Sequence, residues 1–203
     1  MHHADTSLVP DSIQSKSDFW LHVHGQLASL LEGQRDWVTN LANTSSLVYN
    51  ALLSFRSFGN GSAAVNWCGF YIDSTLFPSP KLTASHEDAL LEGTSKILLG
   101  PFCGKPACQF INTTPGKGRG VCADAYLSRQ TLLVRDVNAY PGHIACDGDT
   151  NSEIVCPLVL TLEDKVVCLG VFDLDCLAVG GFGEEDKAGL ERIARLVVES
   201  CDW

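Results

Sequence analysis

The stretch KVVCLGVFDLDC, residues 165–176, has the pattern of a β-strand and decides the fold, because its two faces carry different chemistry. Alternate residues of a strand point to opposite faces of a sheet. One face carries Val167, Leu169, Val171, Asp173 and Asp175. The other face is apolar or small, which predicts a packed core. The two acids fit a strand that emerges into solvent, and they also fit a carboxylate pair in which one group binds a cation and its neighbour holds a proton.

The segments around this strand predict an α+β domain. Further strands are predicted at residues 65–73, 96–102, 131–136 and 153–160 by β-branched and aromatic residues. Helical periodicity begins at Asp18, resumes after a predicted N-cap at Asp36 and ends near Ser57, and a last helix starts at the acidic run GEED, residues 183–186. Strands in the middle and helices at both ends predict a central antiparallel sheet with the N- and C-terminal helices on one face. Loops must cover the other face, which leaves room for a pocket there.

Domain boundaries follow from the same pattern. Residues 1–16 are polar and irregular, so we expect a flexible N-terminal tail followed by one domain over residues 17–203. Residues 74–94 and 112–120 are rich in Pro, Ser and Gly and predict long loops.

The strand VNWCGFYID, residues 65–73, places Trp67, Gly69 and Tyr71 on one face. Two aromatic residues flanking a glycine fit a packed core. They equally fit the walls of a slot for a small apolar group, with Gly69 leaving the space. The stretch itself leaves both interpretations open.

Charge and hydropathy exclude several classes of partner. The formal net charge is −10 and the basic residues form no dense run, so we expect neither a nucleic-acid partner nor an anionic membrane partner. No stretch reaches the roughly 18 apolar residues of a membrane span. The first residues lack a basic region followed by an apolar one, so no secretory signal is predicted. We therefore expect a cytoplasmic protein.

Eight of the nine cysteines fall into two groups, and Cys103, which closes a predicted strand, is left undecided. They form no C-x-x-C pair and no Cys/His quartet, so no metal site is predicted. Most lie in apolar segments and are expected to be packed, inert thiols. Cys108, Cys122 and Cys146 instead lie in Gly- and Pro-rich connections or at a helix start, where the helix dipole is expected to lower the pKa of Cys122. Accessible thiols in a reducing compartment suggest thiol–disulfide chemistry.

Five segments carry a family resemblance: NWCGFY, LGPFCGKPACQ, GRGVC, DVNAYPGHIACDGDTNSEIV and LGVFDLDC. Together they resemble the free methionine-(R)-sulfoxide reductases, which are built on a GAF domain, over residues 36–201. The resemblance implies a central antiparallel sheet with a loop-covered pocket. It also implies reduction of free methionine-(R)-sulfoxide as part of the defence against oxidative stress. A thioredoxin-like protein would be the external reductant, no further cofactor would be needed, and a homodimer is the common assembly.

The resemblance also implies roles for individual residues. Cys146 would attack the sulfoxide, Cys108 would form a disulfide with it, and Cys122 would be auxiliary or an alternative attacking or resolving thiol. The substrate-binding residues would be Trp67, Tyr71, Glu153 and Asp173. Asp175 is our choice for the proton donor, kept protonated by burial beside other carboxylates. His143 is expected to stabilise its turn rather than to take part in catalysis.

Two other functions fit a GAF domain. One is a sensor that binds a small molecule without turnover, and the other is an interaction protein with incidental cysteines. A sensor is expected to be fused to an effector domain, for which 203 residues leave no room. An interaction protein leaves unexplained why the cysteine, carboxylate and tryptophan positions match together.

Overall fold

A six-stranded sheet forms the centre of the computed structural model, which describes residues 9–59, 61–78, 95–144 and 147–203. The strands are β1 (Val65–Asp73), β2 (Lys96–Gly104), β3 (Phe110–Asn112), β4 (Leu132–Val134), β5 (Ser152–Thr161) and β6 (Val166–Cys176). Their order across the sheet is β3-β2-β1-β6-β5-β4, and every neighbouring pair is antiparallel. The central antiparallel sheet predicted from the sequence is confirmed. Strand β3 was not predicted, since three residues in a loop give no periodicity.

Four helices accompany the sheet: α1 (Lys16–Leu31), α2 (Trp37–Ser54), α3 (Val121–Ser128) and α4 (Glu184–Glu199). Asp36 caps α2 as predicted, because its side chain accepts a hydrogen bond from the backbone N–H of Thr39. Helix α2 ends at Ser54, three residues before the predicted end. In the predicted tail, Val9 and Ile13 pack against the core. No helix in the described part of the chain is long and apolar enough to cross a bilayer.

The sheet separates two apolar clusters. Helices α1, α2 and α4 pack on one face, where Phe70 and Phe172 stack with ring centroids 4.3 Å apart. Helix α3 and the loops cover the other face, around Trp67, Tyr71 and Val171. The prediction of terminal helices on one face and a loop-covered opposite face is therefore confirmed. Two predicted segments lie partly outside the described residues: residues 79–94 of the loop predicted at 74–94, and residues 1–8 of the predicted tail.

The simple alternation predicted for β6 is wrong at its first residues. Leu158 pairs with Gly170, but the next residue, Val159, pairs with Cys168, so a bulge leaves Leu169 without a partner. Leu169 and Val167 consequently pack with the helices, and the pocket face of β6 begins at Val171. Glycine is required at position 170 because a β-carbon there would lie 2.2 Å from the carbonyl oxygen of Tyr71.

Candidate active site

A cavity of about 290 Å³ lies between the sheet, α3 and the covering loops. This volume is close to the lower end, roughly 300 Å³, of small-molecule pockets. Its walls include the seven predicted site residues that the structure describes: Trp67, Tyr71, Cys108, Cys122, Glu153, Asp173 and Asp175. The eighth, Cys146, lies outside the described residues.

Strand register brings three carboxylates together on the pocket face. Glu153 on β5 is directly opposite Asp175 on β6, and Asp173 lies two residues earlier on the same face. All three are buried, with 6%, 8% and 6% of their surface exposed for Glu153, Asp175 and Asp173. Burial first, and then the negative charge of Glu153, raise the pKa of both Asp173 and Asp175 well above its ordinary value. The acids thus form a paired-carboxylate site, and the alternative of solvated acids is excluded.

Cys122 is part of this cluster. It is the second residue of α3. The helix is preceded by Gly120, whose φ of 89° favours glycine. Its thiol donates a hydrogen bond to Asp173 Oδ2 at 3.3 Å and lies 3.9 Å from Glu153 Oε1. Burial and then the charges of Asp173 and Glu153 raise the pKa of Cys122 well above its usual value. The prediction that the helix dipole lowers this pKa is therefore wrong, because desolvation and nearby carboxylates outweigh it.

Two aromatic residues of β1 that line the pocket, Trp67 and Tyr71, form a stack of three rings together with Phe102 of β2. Trp67 lies between Phe102, at a centroid distance of 5.5 Å, and Tyr71, at 6.0 Å. The indole N–H of Trp67 donates to the carbonyl oxygen of Lys105 at 3.2 Å, which holds the ring in place. A β-carbon on Gly69 would lie 2.3 Å from Phe102 Cβ and 2.7 Å from the Trp67 ring. Of the two interpretations left open for this stretch, the packed one holds at Gly69, because the stacked rings fill the space beside it and leave no slot for a ligand there.

His143 contacts the carboxylate cluster. Its Nε2 lies 3.3 Å from Glu153 Oε2, and its backbone N–H donates to Tyr140 in the turn. The hydroxyl of Tyr140 in turn donates to Asp124 on α3 at 2.7 Å, which ties this turn to the helix that carries Cys122. The hydrogen bond in this turn comes from the backbone and does not involve the imidazole, so the turn role expected for the His143 side chain stays a prediction. The ion-pair distance of that side chain to Glu153 was missed. The sequence holds no signal for it, since the two residues belong to a loop and a strand.

Two basic residues also line the pocket. Lys117 and Arg119 lie in the loop between β3 and α3, and both are exposed. Neither makes an ion pair with a carboxylate of the described residues. The sequence GKGRG marked this segment as a loop without indicating that it borders the pocket.

No family model matches the chain. A solved structure of a GAF domain, 39% identical, covers 100% of this chain and 98% of that chain with a TM-score of 0.76. The sheet, the helices on one face and the pocket on the other thus define a GAF-domain protein.

Two relatives narrow the class. The free methionine-R-sulfoxide reductase of Saccharomyces cerevisiae is 40% identical over 200 residues, which are 98% of this chain and 94% of that protein. A structure of the free methionine-R-sulfoxide reductase of Neisseria meningitidis with its substrate is 31% identical, covers 96% of this chain and 95% of that one, and gives a TM-score of 0.70. The chain belongs to the free methionine-(R)-sulfoxide reductase family.

Proposed function

We propose that this protein reduces free methionine-(R)-sulfoxide to methionine with cysteine thiols that a thioredoxin-like protein reduces again. The observation that carries the proposal is the buried carboxylate cluster of Glu153, Asp173 and Asp175, which shares one small pocket with Trp67 and two cysteines. Family membership supports the same activity. The cytoplasm is the proposed compartment, because it supplies the reducing protein.

The pocket offers a complementary group to each end of a free amino acid. Asp173 Oδ1 is buried and receives no hydrogen bond from the described residues, so it is available to the substrate ammonium together with Glu153. The S-methyl group fits against the aromatic wall where Trp67 and Tyr71 line the pocket. The substrate carboxylate fits Lys117 and Arg119 at the rim, which are not engaged elsewhere among the described residues. A peptide-bound methionine sulfoxide lacks both charges, and its exclusion follows.

The chemistry is a two-electron reduction of the sulfoxide by one thiol and then a second. Cys146 attacks the sulfoxide sulfur, the oxygen passes to the cysteine as a sulfenic acid, and methionine leaves. The thiol of Cys108 then attacks the sulfenic sulfur, which forms a disulfide and releases the oxygen as water. A dithiol of the external reductant opens this disulfide by exchange. The scheme uses no metal or organic cofactor.

Asp175 is the proposed proton donor to the sulfoxide oxygen. Burial and then the charges of Glu153 and Asp147 raise its pKa, which favours the protonated acid. As pH rises through this raised pKa the acid is lost, so kcat should fall on the alkaline side. In Asp175→Asn we expect kcat to drop about 10²–10⁴-fold and that alkaline limb to disappear. An unchanged pH profile of kcat would remove Asp175 from this role.

The activity is tested with racemic free methionine sulfoxide, thioredoxin, thioredoxin reductase and NADPH. We expect NADPH consumption to stop when half of the substrate, the R isomer, is used. The N-acetylated sulfoxide, which has no ammonium, serves as the matched control and should not be reduced. Binding of free methionine sulfoxide without any NADPH loss would contradict the proposal and favour the sensor function.

The nucleophile is tested by single turnover without reductant. Wild-type enzyme should yield one methionine per chain, and Cys146→Ser should yield none. Cys156→Ser, at a buried thiol on the helix side of the sheet, is the control and should behave as wild type. One methionine per chain from Cys146→Ser would assign the attack to another thiol.

A further inference from the structure

We propose that the carboxylate cluster is also a binding site for a divalent metal ion of the zinc class, with Cys122, Glu153 and Asp173 as its protein ligands. The ion would compete with the substrate for this site, an inference that rests on the proposed function. The sequence predicted no metal site because these ligands come from α3, β5 and β6, so that no spacing motif connects them.

The distances between the ligand atoms suit a tetrahedral ion. Zinc binds sulfur at about 2.3 Å and nitrogen or oxygen at about 2.0–2.2 Å, which puts neighbouring ligand atoms about 3.3–3.7 Å apart. Cys122 Sγ lies 3.3 Å from Asp173 Oδ2 and 3.9 Å from Glu153 Oε1. The ligand atoms of these three residues all lie within 4.8 Å of one another.

The three ligands favour zinc over calcium and magnesium. One thiolate and two carboxylates are ligands that zinc accepts, whereas calcium and magnesium prefer oxygen ligands alone. His143 lies beside the site, because its Nε2 is 3.3 Å from Glu153 Oε2, whereas the Glu153 oxygen near Cys122 is Oε1.

A second observation that favours a bound cation is an unpaired carboxylate oxygen in the cluster. Asp173 is 6% exposed, and its Oδ1 has no hydrogen-bond donor among the described residues. A buried carboxylate oxygen without a partner is costly. Within the described part of the chain, His143 is the basic side chain at ion-pair distance from Glu153, and none reaches Asp173 or Asp175. A divalent ion would supply the missing positive charge.

Occupancy by the ion and turnover exclude each other. The ion would coordinate both carboxylates that are proposed to bind the substrate ammonium. It would also coordinate Cys122, which would be bound as a thiolate. It would therefore act as a reversible inhibitor, competitive with the substrate. It would also shield Cys122 from oxidation while the ion stays bound.

The site is tested by direct binding of Co²⁺ as a coloured substitute for Zn²⁺, with no turnover involved. Fully reduced protein should bind one Co²⁺ per chain with a thiolate-to-cobalt charge-transfer band. The band should vanish in Cys122→Ser. The affinity should fall at least about tenfold in both Asp173→Asn and Glu153→Gln.

Two variants outside the pocket separate this site from adventitious thiol binding. Cys103→Ser removes a partly exposed thiol on β2, and Asp149→Asn removes an exposed carboxylate. Both should bind Co²⁺ as wild type does. A band that persists in Cys122→Ser, or is lost equally in Cys103→Ser, would overturn the proposal.

Competition is measured with methionine, which has the same ammonium and cannot oxidise a thiol. The apparent Co²⁺ affinity should fall in proportion to the methionine concentration. A cobalt band that does not change with added methionine would refute the proposal that the ion and the substrate share one site. The proposed reductase activity and the metal site can fail independently. If the protein shows no turnover but has a cobalt band that depends on Cys122, the activity is refuted and the metal site is retained.

Discussion

Replacing Asp173 with Asn should separate substrate affinity from stability, because the group proposed to bind the substrate ammonium is a carboxyl group whose burial destabilises the fold. In the ligand-free protein its carboxyl group is buried, and Oδ1 lacks a donor among the described residues. Loss of a charge-assisted hydrogen bond to the substrate ammonium costs about 1.5–3 kcal/mol. We therefore expect kcat/KM to fall about 10–150-fold.

Stability should change in the opposite direction and depend on pH. The folded-state pKa of Asp173 is raised by burial and then by Glu153 and Asp175. The folded protein thus retains a proton that the unfolded chain releases above about pH 3.9, so the free energy of unfolding falls as pH rises from there through the raised pKa. Asn has no such proton to lose. The variant should gain about 1 kcal/mol or more near neutral pH, which corresponds to about 2–4 °C in Tm for each kcal/mol.

The assay is thermal unfolding of both proteins between pH 5 and pH 8. The difference in Tm should grow with pH. Asp149→Asn, which removes an exposed carboxylate paired with Lys105, is the control and should change stability by no more than about 0.5 kcal/mol at any pH. A variant that is less stable than wild type at pH 8, or a Tm difference that does not vary with pH, would refute the reasoning.

Three further predictions address other parts of the pocket. Gly69→Ala should cost about 1–3 kcal/mol and raise KM, since its Cβ would lie 2.3 Å from the neighbouring aromatic side chain; Gly25→Ala, on a helix with nothing within 4 Å, should be neutral or stabilising by thermal unfolding. Arg119→Gln should raise KM for the free sulfoxide about 2–5-fold, with a smaller effect at high salt, as expected for an exposed charge. A KM equal to that of wild type at low salt would exclude Arg119 as a partner of the substrate carboxylate. Cys122 should be alkylated by iodoacetamide more slowly than Cys108, measured by peptide mass spectrometry, because it is buried and its pKa is raised; equal rates would contradict this.

Strand periodicity predicted much of the site from the sequence. Trp67, Tyr71, Asp173 and Asp175 could be assigned to one face because side chains alternate along a strand and both strands are continuous where these residues lie. The register then sets Trp67 opposite Asp175, which places aromatic wall and acid side by side. Local geometry was sufficient here, because neighbouring antiparallel strands share a face.

The remaining features depend on contacts between segments far apart in the chain. The bulge that moves Leu169 to the helix side arises where Gly170 meets the backbone of Tyr71 on the neighbouring strand. The position of His143 against Glu153 depends on how a loop lies over the sheet. The pKa of Cys122 was predicted from its helix alone, and the carboxylates that raise it lie on other elements. None of these relations leaves a pattern in the sequence.

The placement of Cys122 bears on which thiol attacks first. A thiolate is the nucleophile, and a thiol that donates to Asp173 within a negatively charged, buried cluster stays protonated. Cys122 is therefore a poor first attacker in the ligand-free enzyme, which favours Cys146 in that role. A substrate ammonium seated between Glu153 and Asp173 would cancel part of the field that keeps the thiol protonated. The charge that makes the substrate recognisable would then also make Cys122 reactive, and a substrate without a free ammonium would lose both binding and activation.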